Sequence, residues 1–257
     1  VAACGRLGFN ARSDDGGDGR TDTAGASGYH ATAVRFAPAS NAYLDDLSLA
    51  NVSNGPKGTL SIWIHFNGSD GTQQFVAGVG GMYGLLRTAS NQFRLNFVNC
   101  SNAAVVDMYT QGTYTMSSGW VHVLTSWDGT TANGQIYVND VSDRAAAATL
   151  NNDNGCFTSP VWGIGGVVNN QLNADLGDFY VNLTTYVDLT VAANRRLFSD
   201  AAGKPVDLGP SCNLPTGSTP TACFTGPVTM WNIDKGTAGG FSAGGGGLTA
   251  AQTSPSD

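Results

Sequence analysis

Short runs of alternating apolar and polar residues recur along this chain at roughly ten-residue spacing, each closed by Gly, Asn or Asp, and that rhythm admits few folds. The cleanest run is Thr59 to Phe66. Leu60, Ile62, Ile64 and Phe66 fall on one face and Ser61, Trp63 and His65 on the other, as the two-residue period of a pleated strand requires. The turn sequence Asn67-Gly68-Ser69-Asp70-Gly71 ends it. Further strands are predicted over 31–36, 43–44, 74–76, 82–87, 93–98, 105–109, 120–127, 135–139, 161–164 and 176–183. One short helix is expected near 191–198. The irregular Gly/Pro/Thr-rich end is expected to hold a hairpin around Cys223 to Trp231. Many short strands separated by turn residues signal an all-β sandwich or barrel. No repeat of fixed period points to a solenoid or propeller.

Composition agrees with that pattern. All 19 acidic residues are Asp, and Glu is missing altogether. Glu favours exposed helix whereas Asp favours caps and turns, so the bias is towards strands and loops. The 35 Gly and only three Lys (Lys57, Lys204, Lys235) point the same way. A net charge of -7 with scattered Arg argues against nucleic acid as a partner, because a phosphate-backbone binder needs a basic stripe. No stretch of about eighteen apolar residues predicts a membrane span.

Residues 1–30 read as an arm. Asp14-Asp15-Gly16-Gly17-Asp18-Gly19 resembles the start of an EF-hand loop but lacks its closing Glu, so a linker is the better reading. Such a segment cannot offset the entropy of its own ordering and becomes ordered through contacts with a partner. That favours self-association or attachment to other proteins of an assembly. The sequence Val1-Ala2-Ala3-Cys4 resembles the tail of a bacterial lipobox, which makes Cys4 a candidate for lipidation or a free thiol. The other four Cys allow two disulfides or remain inert thiols. Cys212 and Cys223 bracket a Pro-rich loop, and Cys100 with Cys156 would tie two strand ends. No Cys/His cluster supports a zinc site.

Three segments together resemble the laminin-G-like, concanavalin A-like sandwiches. They are Thr59-Leu60-Ser61-Ile62-Trp63-Ile64, then Gly119-Trp120-Val121-His122-Val123 with Ser126-Trp127-Asp128-Gly129, then Gln135-Ile136-Tyr137-Val138-Asn139-Asp140, where Asp stands in place of the usual Gly. Trp162-Gly163-Ile164-Gly165 is similar to the strand that follows in that family. The resemblance covers residues 31 to about 185. It implies two stacked antiparallel sheets of about six or seven strands in a jelly roll, one of them curved. The C-terminal part (Asn194 to Phe198, Gly203 to Gly209, Pro215 to Pro220) is similar to laminin-G-like proteins of tailed bacteriophages, where it follows the last strand as a cap. It departs from them at Pro210-Ser211-Cys212-Asn213. The division expected is an arm over 1–30, a sandwich over 31–190 and a helix with capping segment over 191–257. The implied role is a non-enzymatic virion structural protein, on capsid or tail, with adhesion to host glycans. The alternatives are a bacterial surface lipoprotein anchored through Cys4 and an extracellular carbohydrate-binding module.

Catalysis finds little support in the residues. Glycosidases of this fold use paired Glu, which this chain lacks, and Asp175 and Asp178, three apart on a strand, should face opposite sides. None of His30, His65 and His122 has a credible nucleophile beside it, and no Gly-x-Ser-x-Gly occurs. His122 is expected to be a hydrogen-bonded sheet or core residue, and His65 to be solvated or to face a cleft. No cofactor is implied beyond a rim calcium site of the kind some laminin-G modules carry. Asn151-Asn152-Asp153-Asn154 would supply its ligands, and turn chemistry explains that loop equally well. Glycan sites need an aromatic platform with Asn/Asp hydrogen bonds. Trp63, Trp120, Trp127 and Trp162 sit in strand patterns that favour packing, and Trp231 is the least constrained. No ligand-binding residue is singled out by sequence alone.

Overall fold

The computed structural model describes residues 28–257 apart from 48, 81–82, 159–160 and 167–170. The Asp-rich run of the arm and Cys4 lie outside the described residues. In chain order the strands begin with β1 (Ala33–Phe36), β2 (Tyr43–Asp46), β3 (Lys57–Phe66), β4 (Gln74–Val79) and β5 (Tyr83–Arg87). They continue with β6 (Phe93–Val98), β7 (Ala104–Thr110), β8 (Val121–Asp128), β9 (Asn133–Val138), β10 (Val141–Ser142) and β11 (Arg144–Leu150). The last are β12 (Trp162–Ile164), β13 (Ala174–Asn182), β14 (Ala222–Phe224), β15 (Ser242–Gly244) and β16 (Thr249–Ala250). The helix α1 spans Ala192–Arg195.

These strands form two antiparallel sheets. The first runs β10-β9-β8-β3-β13-β1-β16 with β14 also on β13, and the second runs β11-β7-β6-β5-β4-β12-β2-β15. Each has eight strands rather than six or seven, because β15 and β16 from the C-terminal end extend one edge of each sheet. The predicted hairpin near Cys223 does not form. Ala222–Phe224 pairs with β13 instead, and Val228–Met230 is a turn of 3-10 helix. β11 has no counterpart in the sequence reading, since Ala145 to Ala148 carry no strand propensity and are held by pairing to β7.

The core lies between the sheets. Leu60, Ile62, Ile64 and Phe66 enter it together with Phe93, Leu95, Phe97, Trp127, Trp162 and Trp231. Trp231, free of any strand pattern, is therefore wholly buried. Its Nε1–H donates to the Gly226 carbonyl at 3.1 Å, which satisfies the indole. A smaller apolar layer lies on the other face of the first sheet. Leu124 and Tyr180 from the strands meet Val187, Leu189, Phe198 and Leu208 from the segment after β13. That layer is why the chain beyond β13 packs back onto the sandwich. The disulfide Cys212–Cys223 fixes it to β14, and Cys100–Cys156 ties the end of β6 to the loop after β11.

A bulge interrupts β13 between Gly177 and Tyr180. Leu176 and Phe179 both reach the core, although they are three residues apart. The extra residue is Asp178, with φ at 40°. The alternation assumed for Asp175 and Asp178 therefore fails, because a bulge adds one residue and shifts the parity. The two carboxylates serve different partners. Asp175 takes a bidentate bond from Arg35 at 2.7 and 2.8 Å, and Asp178 accepts from the Tyr29 hydroxyl at 2.9 Å. Gly78 and Gly84 face each other across β4 and β5 with φ of 149° and 145°. A Cβ on either would lie 2.1 Å from a backbone oxygen, so only Gly fits there.

Candidate functional site

The outer face of the first sheet carries an aromatic array that follows from register. β3 and β8 pair antiparallel with Trp63 opposite His122. Residues two apart share a face, so His65 and Trp120 fall on the next row of the same face. Trp63 and His122 stack at 4.6 Å with an 18° tilt. His65 and Trp120 approach at 5.7 Å and 39°. The four rings make a two-by-two checkerboard with the indoles on one diagonal. Trp63 is buried in it, whereas Trp120 is half-exposed and donates its Nε1–H to Thr253 Oγ1 at 3.2 Å.

A groove of about 360 Å³ opens over three of these rings, Trp63, Trp120 and His122, with Asn139, Asp140 and Lys204 also lining it. Asn139 and Asp140 are the two central residues between β9 and β10, and Val138 pairs with Val141. Their φ values, 48° and 67°, are both left-handed. That is the two-residue hairpin turn whose twist suits the strands, and Asn and Asp tolerate it. Asn139 Oδ1 accepts the His122 N–H at 2.8 Å, and no described partner takes its Nδ2. Asp140 is held by Arg195 Nε and by Arg196 Nη2, the latter at 2.5 Å. Those bonds, that to Arg196 first, keep its carboxyl below the usual range. Arg195 also lies over the Tyr137 ring at 4.6 Å.

Across the groove, Lys204 Nζ donates to main-chain oxygens of Ser256 and Asp257. Pro255 packs over Gly177, whose missing side chain makes room for it. The segment 253–257 thus forms the second wall.

Ser61 and His122 form a contact that the linear sequence hides. Ser61 Oγ lies 2.8 Å from His122 Nε2, which corrects the expectation that no His has a nucleophile beside it. Both are buried, and Ser61 does not line the groove. Burial drives the His122 pKa down to about 3 against a weaker opposing pull from Asp140. The imidazole is neutral at pH 7 and resists taking a proton, which disfavours it as a general base. The pair reads as a hydrogen bond that closes the sheet surface beneath the aromatic array.

The remaining predicted residues are dispersed. His30 stands 3.7 Å from an Asp257 carboxylate oxygen. The loop Asn151 to Asn154 spends its polar atoms internally: Asn151 Nδ2 donates to the Ala104 carbonyl, and Asp153 accepts from Asn99 Nδ2 at 2.7 Å and from the Asn154 N–H. Among the described residues, no three His, Cys or Asp gather as metal ligands. No helix of the described residues is long and apolar enough to cross a membrane.

Comparison with known proteins agrees with this architecture. A laminin G family model, described as the concanavalin A-like lectin/glucanases superfamily, matches residues 38–182. No curated protein sequence matches the chain. Among solved structures, one from Bacteroides ovatus, provisionally described as a carbohydrate binding protein, aligns with a TM-score of 0.60 at 13% identity. It covers 87% of this chain, which in turn spans only 60% of that protein. A heptameric SAP-like pentraxin from Limulus polyphemus aligns at TM-score 0.48 and 11% identity, over 86% of this chain and 94% of its own. A Trypanosoma rangeli sialidase aligns at 0.36 and 13% identity over 52% of this chain and 21% of its own. The last two likenesses are too distant to bear on the site, and the first speaks to the fold alone. With the family model spanning more than half of the sequence, the chain belongs to the concanavalin A-like lectin/glucanases superfamily.

Proposed function

We propose that this protein is a non-enzymatic carbohydrate-binding sandwich working outside the cell or on a surface, and that the aromatic groove of its first sheet is the binding site. The observation that carries this reading is the set of Trp63, Trp120 and His122 rings, with His65 against Trp120, beneath walls that offer the Asn139 amide and Lys204. Sugar rings present an apolar C–H face and a polar hydroxyl rim, and an indole beside amide and ammonium donors complements both. The two disulfides suit an oxidising compartment.

Affinity gel electrophoresis against a panel of soluble polysaccharides tests the reading. Retardation by at least one polysaccharide, lost in Trp120→Ala without a change in circular dichroism, is the expected result. Unaltered migration of the wild-type chain across the whole panel would contradict it.

A virion setting for the same module is a second reading. It rests on the C-terminal segment packing against the sheet through Phe198 and Leu208, as the cap of its phage look-alikes implies. The binding reading does not depend on it. Immunogold labelling of purified phage particles decides: label on the particle supports a virion component, and a bare particle removes that setting.

A further inference from the structure

We propose that the groove selects neutral saccharides and rejects acidic ones, an inference that rests on the carbohydrate-binding reading above. The protein as a whole carries a net charge of -7, and the groove does not reverse that sign: among the described residues its lining holds one cation, Lys204, against Asp140 and Asp257. Around that lining stand Arg195 and Arg196 on Asp140, the Arg35–Asp175 pair in the row beside it, and Asp200 next to Ser199 of the lining. Each is already engaged by the protein. Asp140 holds two guanidinium groups, and Asp175 holds Arg35 and the Asn67 amide. Asp200 caps the N–H groups of Ala202 and Lys204, and Asp257 caps that of Ser254. Lys204 is turned onto main-chain oxygens of Ser256 and Asp257.

A sugar carboxylate entering here would have to compete with the protein's own acceptors for Lys204 and lie close to the Asp140 and Asp257 carboxylates. That costs more than the new contact returns, because a desolvated anion left unpaired is heavily penalised. His122 offers no cation either, since its burial keeps it neutral at pH 7. The groups left for a ligand are mostly dipoles and rings, namely the Asn139 Nδ2, the second ring nitrogen of His122 and the half-exposed face of Trp120, with one proton of the engaged Lys204 beside them. These suit hydroxyls above an apolar pyranose face.

Isothermal titration calorimetry at pH 7 provides the test. Cellohexaose, xylohexaose, laminarihexaose and mannohexaose serve as neutral probes, and hexagalacturonate and sialyllactose as acidic ones. At least one neutral probe should bind, with the acidic probes at least about ten-fold weaker. The neutral affinity should also stay within about two-fold between roughly 0.05 and 0.5 M NaCl, since no ion pair is made. Binding should be lost in Trp120→Ala and partly restored in Trp120→Phe. An acidic probe that binds as tightly as any neutral one, in a manner lost in Trp120→Ala, overturns the selectivity and leaves the carbohydrate reading standing. Silence from every probe, together with unretarded migration on the polysaccharide gels, overturns both.

Discussion

The Asp178 carboxyl meets an environment that opposes its ordinary ionisation. It sits at a left-handed φ in the bulge of β13, with Oδ2 lacking a described partner and Oδ1 taking the Tyr29 hydroxyl. Desolvation raises its pKa to about 7, with Asp207 adding to the rise and Tyr29 and Lys235 opposing it. The folded state therefore holds a proton that the unfolded chain gives up near its ordinary value of 3.8. Stability from this group is complete below about pH 4 and is lost as pH rises towards 7. The difference in melting temperature between wild type and Asp178→Asn should accordingly fall across that window, since the amide stays neutral throughout. A difference that is flat with pH would contradict the assignment. His122 works in the opposite sense. With its folded pKa lowered, it favours the fold above its unfolded value of 6.5 and costs stability as pH falls from there towards 3. Comparison with Asp178→Asn at each pH cancels that contribution.

At the scale of elements, the clearest prediction concerns the two disulfides. Cys100–Cys156 closes a loop with a sequence separation of 56 and Cys212–Cys223 one of 11. By the loop-closure argument, replacing the first pair by Ser should cost about 4 kcal/mol and the second about 3 kcal/mol in denaturant unfolding. Equal and negligible losses would show that the bridges constrain little. Gly84→Ala should also destabilise, by about 2–3 kcal/mol or more, because its Cβ would meet the Ala77 carbonyl. Denaturant titration of that variant reads the loss directly.

The elements also separate what was legible in the sequence from what was not. β3 was legible because one face is dry: Leu60 to Phe66 alternate, and the alternation placed Trp63 and His65 on the opposite face. β11 was not, because Arg144 to Leu150 is an edge strand of Ala residues whose extended form comes only from β7. The β13 bulge hid itself by changing parity without changing composition. The tryptophans misled for a related reason. Trp231 lies outside every strand pattern and is the one sealed by C-terminal packing, whereas Trp120, in a strong pattern, borders the groove.

At the scale of the whole molecule, the site belongs to no single strand. Its floor needs the register of β3 against β8, one wall needs the Asn139-Asp140 turn and the arginines of α1 and its cap, and the other needs residues 253–257 folded back across the sheet. The motifs Ser61-Ile62-Trp63 and Trp120-Val121-His122 were each visible. The pairing that stacks Trp63 on His122 and sets Ser61 Oγ against its ring was not, because cross-strand partners lie about sixty residues apart and register is a property of the folded sheet.

The central claim is that this composite groove binds saccharide, and the indole region of a nitrogen-15 correlation spectrum tests it most directly. The five Trp give five indole signals, and Trp120→Phe identifies the one that matters. On titration with the saccharide selected above, the account predicts that the Trp120 signal shifts progressively to saturation while those of Trp127, Trp162 and Trp231, inside the core, stay in place. A saccharide that binds and leaves the Trp120 signal unmoved would contradict it.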